Sequence, residues 1–128
     1  VYNVSKHAVV TATETLYHDL ALRKSRVGCS VLCPAYVPTG IADSERNRPG
    51  ALANAGAQKS AETLATERML RKAVNSGKLS ADDVAAAVLT AVEDERFYIL
   101  THARIKGAIQ ARMDDILAER APRNPLAL

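Results

Sequence analysis

The sequence predicts an α/β domain built on a parallel sheet with helices on both faces. Three observations carry this. Residues 3 to about 24, rich in Ala, Leu, Glu and Lys, read as one long helix. Val27 to Cys33 is a short, nearly continuous apolar run closed by Pro34, the pattern of a strand buried on both faces. Downstream, SADDVAAAVLTAV reads as a helix and RFYILT as a second strand. Helix, strand, helix, strand is the alternation that builds a parallel sheet.

The first helix is apolar around most of its girth. Val9, Ala12, Leu16 and Leu20 line one side, while Val10, Tyr17 and Ala21 lie round the barrel. A helix resting on one sheet needs a single stripe. The extra girth therefore predicts a second cover, such as a helix of another subunit. The charged patch Arg23 to Arg26 and Gly28 mark the turn out of it. In the strand that follows, Cys29 and Cys33 share a face about 13 Å apart at ~3.3 Å per residue, too far for a disulfide. Both are expected as buried free thiols.

PAYVPTG then takes an extended, irregular path, because each proline restrains its predecessor. Ile41 to about Gly56 is polar and contains glycine, and is expected to form a mobile loop. Ser60 to Asn75 is amphipathic through Leu64, Ala65, Arg68 and Met69, with Gly77 as its stop. In the next helix Ser80 caps, Asp83 occupies the third position, and Leu79 and Val84 close a hydrophobic staple. Val84, Val88, Ala91 and Val92 form its inner stripe. After the RFYILT strand, a final helix with Ile105, Ile109, Met113, Ile116 and Leu117 runs to about Glu119. The tail APRNPLAL is expected to wrap over the surface.

Two strands cannot make a doubly covered sheet, and residue 1 is not Met. The 128 residues are therefore expected to be the back part of a larger domain, which by themselves fold poorly and grip no dinucleotide tightly. Charge is nearly balanced, with 17 Lys and Arg against 14 Asp and Glu. The excess lies between Asp43 and Lys78, and no basic cluster stands out. With four Tyr and one Phe there are few platforms for stacking bases, so no nucleic-acid partner is expected. No run approaches the ~18 apolar residues of a membrane span. Two cysteines and no leader-type stretch predict a reducing, cytoplasmic setting.

Tyr2 and Lys6 stand four apart at the start of the first helix, on one face and about 6 Å apart along its axis at ~1.5 Å per residue. A phenol titrates near 10 and exchanges protons poorly at neutral pH. A neighbouring ammonium favours the phenolate and brings proton exchange within reach. Such a pair suits a carbonyl that becomes an alcohol, or the reverse. By itself the spacing is common on solvated helices; the surrounding stretch gives it weight.

YNVSKHAVV on its long helix, the strand VGCSVLCP, and then PAYVPT resemble the C-terminal half of a short-chain dehydrogenase/reductase. That family carries Tyr-x-x-x-Lys on this helix and Pro-Gly-x-Val-x-Thr after the next strand, and SADDVAAAVLTAV with RFYILT resembles its closing helix and strand. The resemblance implies the C-terminal part of a Rossmann-like doubly wound sheet. It spans residues 1–128 as one portion of a single NAD(P)-binding domain, with 40–78 as substrate loop and lid helix.

It implies an oxidoreductase that transfers hydride between NAD or NADP and a secondary alcohol or ketone. Tyr2 would be the acid/base, and Lys6 would hold the nicotinamide ribose as well as acting on the phenol. Ser5 fills a small-residue position and is not the family's catalytic serine. Pro34, Val37 and Thr39 match the second motif and, with Ala35 in the glycine position, imply contacts to the nicotinamide end of the cofactor. Ala35 departs from the family's glycine, which a negative backbone dihedral would tolerate. Tyr36 could wall the substrate pocket, and Leu52, Leu64 and Met69 could meet the substrate. The phosphate loop, the Asn-Ala-Gly segment, the catalytic serine and the structural asparagine have no counterpart among these residues and are expected upstream.

His7 faces about 100° from Lys6 and reads as a packing or surface residue. His18 and His102 lack ligand partners at metal spacing, so no metal site is expected. The resemblance and the helix girth both point to a homodimer or homotetramer through residues 3–24. Two other readings remain. A sugar-nucleotide epimerase or dehydratase shares the Tyr-x-x-x-Lys logic but generally has a larger C-terminal part. A catalytically silent relative would act as an oligomeric binding module.

Overall fold

The computed structural model describes residues 2–52 and 58–124. The chain divides into two compact units, one of residues 1–35 and 85–128, the other of residues 36–84.

The first unit is organised by a parallel pair of two-residue strands, β1 (Val31–Leu32) and β2 (Tyr98–Ile99). Val31 stands opposite Tyr98 and Leu32 opposite Ile99. The Val31 N–H donates to the Phe97 carbonyl at 2.8 Å and the Cys33 N–H to the Ile99 carbonyl at 3.0 Å. Ser30 Oγ adds a bond to the Arg96 carbonyl at 2.8 Å. The predicted strand 27–33 is thus shorter, and it is not buried on both faces. Each rung has one buried residue and one open one: Val31 beside Tyr98 on one face, Ile99 beside Leu32 on the other. Full burial needs strands on both sides of a strand, and among the described residues β1 has one neighbour. Cys29 and Cys33 are free, as expected, but half-buried.

α1 runs Tyr2–Leu22 and none of its described residues is buried. Its least exposed positions are Val10, Thr13, Glu14 and Leu20. The predicted stripe survives only at Leu20; Val9 and Leu16 are exposed. An apolar pattern all round a helix does not choose a face, so specific contacts choose it. The Tyr98 hydroxyl donates to Glu14 Oε1 at 2.6 Å, the Tyr17 ring meets Phe97 edge-on at 5.1 Å, and Cys29 Sγ lies 3.9 Å from the Thr13 carbonyl. The Glu14 contact also raises the Tyr98 phenol pKa above its usual value.

α3 (Ala81–Glu93) starts as predicted. The Ser80 backbone N–H and hydroxyl both donate to Asp83 Oδ2, and the Asp83 N–H returns a bond to Ser80 Oγ at 3.1 Å. These bonds lower the Asp83 pKa. Val84 and Ala91 are buried, Val88 is half-buried, and Val92 is exposed. α4 (Ala103–Leu117) buries Ala111 and Asp115, whereas Ile109, Met113, Ile116 and Leu117 lie open.

A carboxylate takes the inner position of α4 because the following tail is tied to it. Arg123 donates to Asp115 through its backbone N–H and its Nε, both at 3.0 Å, and Arg120 Nη2 adds a contact at 3.1 Å. Arg123 Nη2 also reaches the Ala111 carbonyl at 2.8 Å. A buried charge persists only when paired and hydrogen-bonded in this way.

In the second unit, Thr39 caps a run of 3-10 turns, Gly40–Asn47, and a further turn spans Gly50–Leu52. The expected loop 41–56 is therefore turn-forming over its described part, and 53–57 lie outside the described residues. α2 (Ala61–Asn75) is capped by Ser60, whose hydroxyl accepts the Thr63 N–H at 3.1 Å. Val74 is its buried residue, while Leu64, Met69 and Leu70 are open. Ion pairs join Asp43 to Arg71 at 2.7 Å and Lys59 to Glu67 at 2.6 Å.

The Asp115 clamp has a pH signature. Its arginine contacts lower the carboxyl pKa from 3.8 to about 2. A depressed carboxylate stabilises the fold above its unfolded pKa, and that contribution fades as pH falls through the folded value. Asp115→Asn should therefore melt at a lower temperature than the parent at neutral pH, with the gap closing between about pH 4 and pH 2. Parallel thermal melts across that range check this.

Candidate active site

Tyr2 and Lys6 occupy the first two turns of α1. Lys6 Nζ lies 5.3 Å from the centroid of the Tyr2 ring, within cation–π range. The Tyr2 side of the helix is open, with the residue 61 % exposed. Among the described residues neither the phenol hydroxyl nor the ammonium has a hydrogen-bond partner. Ser5 Oγ, by contrast, donates back to the Tyr2 carbonyl at 2.7 Å, a local helix bond that occupies its proton. His7 and His18 are exposed on the same helix.

β1 leads into Pro34 and Ala35, the last residues of the first unit before the boundary. The Ala35 N–H donates to His102 Nδ1 at 3.3 Å, and Thr101 Oγ1 lies 2.8 Å from the same ring nitrogen. Among the described residues the non-glycine positions with positive φ are Lys24, Glu95 and Glu119. Ala35 is not one of them, so its methyl carries no left-handed backbone penalty.

In the second unit Tyr36 and Val37 are half-buried, and Thr39 Oγ1 accepts the Ile41 N–H at 3.4 Å. That cap uses the oxygen as acceptor and leaves the Thr39 hydroxyl proton to donate elsewhere. Gly77 does more than end α2. A Cβ there would collide with the Tyr36 carbonyl oxygen and lie 2.8 Å from Pro38 Cδ. A glycine lets the turn after α2 close on the extended 36–38 backbone.

The structure thus pairs Tyr2 with Lys6 on one helix face and ties Ala35 to the end of β2. Among the described residues no hydrogen bond joins the first pair to Pro34 or Ala35. Two residues in this arrangement escape a motif reading, His102 and Gly77. The only signals for them are a histidine placed just past RFYILT and a glycine placed just past a helix.

Lys6 offers three N–H donors and no acceptor, and a phenol can give or take a proton. Among the described residues neither head has a hydrogen-bond partner, so both are open to a ligand oxygen. No cluster of His, Cys, Asp or Glu that could hold a metal occurs among the described residues. No described helix is long and apolar enough to cross a membrane. A cavity of about 600 Å³ beside the tail is lined by Ile109, Asp115, Pro122 and Arg123 among others, and by none of the candidate site residues.

No protein-family model matches the chain. A crystal structure of a short-chain dehydrogenase/reductase from Burkholderia phymatum in complex with NAD superposes with a TM-score of 0.93 at 56 % identity, over 99 % of this chain and 45 % of that one. A CLA biosynthesis dehydrogenase/reductase of Lactiplantibacillus plantarum is 32 % identical over 94 % of this chain and 43 % of its own length. A C alpha-dehydrogenase of a Sphingobium species is 25 % identical over 94 % of this chain and 38 % of its own. The chain spans less than half the length of these relatives. The small parallel sheet, its flanking helices and this likeness agree: the chain belongs to the short-chain dehydrogenase/reductase family.

Proposed function

We propose that the protein is a nicotinamide-dependent oxidoreductase that interconverts a secondary alcohol and a ketone. One observation carries the reading: Tyr2 and Lys6 share a helix face, the ammonium 5.3 Å from the Tyr2 ring, and among the described residues neither polar head has a hydrogen-bond partner. The NAD held by the similar solved structure and the dehydrogenase and reductase names of the relatives support it.

The bound coenzyme, NAD or NADP, supplies or accepts the hydride. In the reducing direction the Tyr2 phenol gives its proton to the substrate oxygen as negative charge builds there. The Lys6 ammonium stabilises the phenolate left behind. In the oxidising direction the phenolate takes the alcohol proton. Lys6 would also hold the nicotinamide ribose by donating to its hydroxyls. Pro34, Ala35, Val37 and Thr39 would border the nicotinamide, with the Val37 backbone and the Thr39 hydroxyl as its hydrogen-bonding groups.

Tyr36 contacts substrate. Residues 40–78 form the substrate loop and lid helix of a single Rossmann-like domain to which residues 1–128 contribute. The open side chains of Leu52, Leu64 and Met69 favour a substrate with an apolar body. The free thiols Cys29 and Cys33 accord with a cytoplasmic setting.

Tyr2→Phe removes one hydroxyl and keeps the ring. It should cut kcat by about 10²–10⁴-fold, the usual cost of losing a positioned acid/base group, and leave coenzyme affinity nearly intact. Steady-state rates beside a fluorescence titration of coenzyme decide it, and unchanged turnover would remove Tyr2 from the mechanism. Lys6→Met should lower turnover and weaken coenzyme binding together. Loss of rate with unchanged affinity would confine Lys6 to its effect on the phenol.

The assembly follows from α1. Val4, Val9, Leu16, Tyr17 and Leu22 are all exposed along it, more apolar surface than one helix usually leaves in water. A second copy is the proposed cover, giving a homodimer or a homotetramer of dimers. Sedimentation of the protein at micromolar concentration should show that assembly, and a clean monomer would exclude it.

A further inference from the structure

The β1–β2 ladder ends in an unusual way. In a parallel pair, alternate residues of one strand donate to alternate carbonyls of the other. Val31 donates to Phe97 and Cys33 to Ile99, so the next rung would run from Ala35 to the Thr101 carbonyl. The Ala35 N–H instead donates to the imidazole of His102, at Nδ1. Ala35 and His102 are separated by 67 residues, the same offset as the paired Val31 and Tyr98. The side chain of His102 takes the place of a backbone rung where the chain leaves the sheet after Pro34.

The Ala35 contact sets the role of the ring nitrogen. A backbone N–H can only donate, so Nδ1 accepts from Ala35, and the Thr101 hydroxyl lies 2.8 Å from the same nitrogen. The ring proton then sits on Nε2, which is buried without a partner among the described residues. Leaving that N–H unpaired is costly. The ring is nonetheless held with its acceptor toward Ala35.

We propose that His102 is a positioning residue that fixes the Ala35 backbone, and through it the start of the segment that borders the nicotinamide. This rests on the proposed function above. His102 does not touch the reacting atoms. It restrains residues that leave the sheet, which after Pro34 have no further ladder bond among the described residues. Ala35, which has a methyl where the family has glycine, keeps its place by an acceptor supplied from the end of β2.

The test compares variants with and without that acceptor. Asn carries its Oδ1 on Cγ as His carries Nδ1, so His102→Asn keeps an acceptor near Ala35. His102→Leu keeps bulk and drops the acceptor, and His102→Ala serves if the leucine variant does not fold. Two readouts are taken on the intact protein: amide hydrogen exchange at Ala35 without coenzyme, and the Kd for NAD by fluorescence titration. The acceptor-free variant should exchange faster at Ala35 and bind NAD about 3- to 10-fold more weakly, the worth of one neutral hydrogen bond. His102→Asn should restore both.

Equal NAD affinity in the parent and the acceptor-free variant overturns the proposal, whether or not exchange changes. Equal loss in the Asn and acceptor-free variants overturns it too, since packing would then be the cause. A parent protein that binds neither NAD nor NADP fails the proposed function itself, and this inference with it.

Discussion

The first unit depends on four residues of parallel backbone pairing. Val31–Leu32 and Tyr98–Ile99 bring together stretches such as Ser30 and Arg96, 66 positions apart. Closing so long a loop is entropically unfavourable before any contact forms, so the rung bonds and the burial of Val31, Ile99 and Ala91 must offset it together. α1 is then oriented by what the two strands present to it. The Tyr98 hydroxyl on Glu14 and the Phe97 ring on Tyr17 decide which side of an otherwise uniform helix faces inward. The direction in which Tyr2 and Lys6 point is a consequence of that choice.

The second unit is held by different means. Among the described residues Val74 and Val84 are its buried apolar side chains, and caps and exposed ion pairs add to them. Exposed pairs such as Lys59–Glu67 are weak in water. A segment with few buried groups opens at a lower free energy than a packed core. Where close packing does occur in this unit it is local, as at Gly77 against the 36–38 backbone.

Much of this was legible in the residues. The apolar run before Pro34 and the RFYILT segment marked the two paired strands, and Ser80 with Asp83 marked the start of α3 in detail. Side chains whose placement depends on long-range contacts were not legible. α1 is apolar on every side, so periodicity alone selected the wrong stripe. The apolar residues of α4 suggested an inward face, but the buried position went to Asp115 because Arg123, eight residues on, neutralises it. Of the candidate site, the juxtaposition of Tyr2 and Lys6 on one helix face was readable from spacing, because helix geometry alone brings them together. The contact of His102 with Ala35 was not readable, because its partner lies at the end of another strand.

Proton transfer by Tyr2 with Lys6 beside it is the claim on which the functional account stands. A crystal structure of the protein with bound nicotinamide coenzyme tests it most directly. The account predicts the Lys6 ammonium within hydrogen-bond distance of the nicotinamide ribose hydroxyls, and the Tyr2 hydroxyl beside the nicotinamide ring where a substrate oxygen would sit. Coenzyme bound with Tyr2 and Lys6 still facing solvent would contradict it.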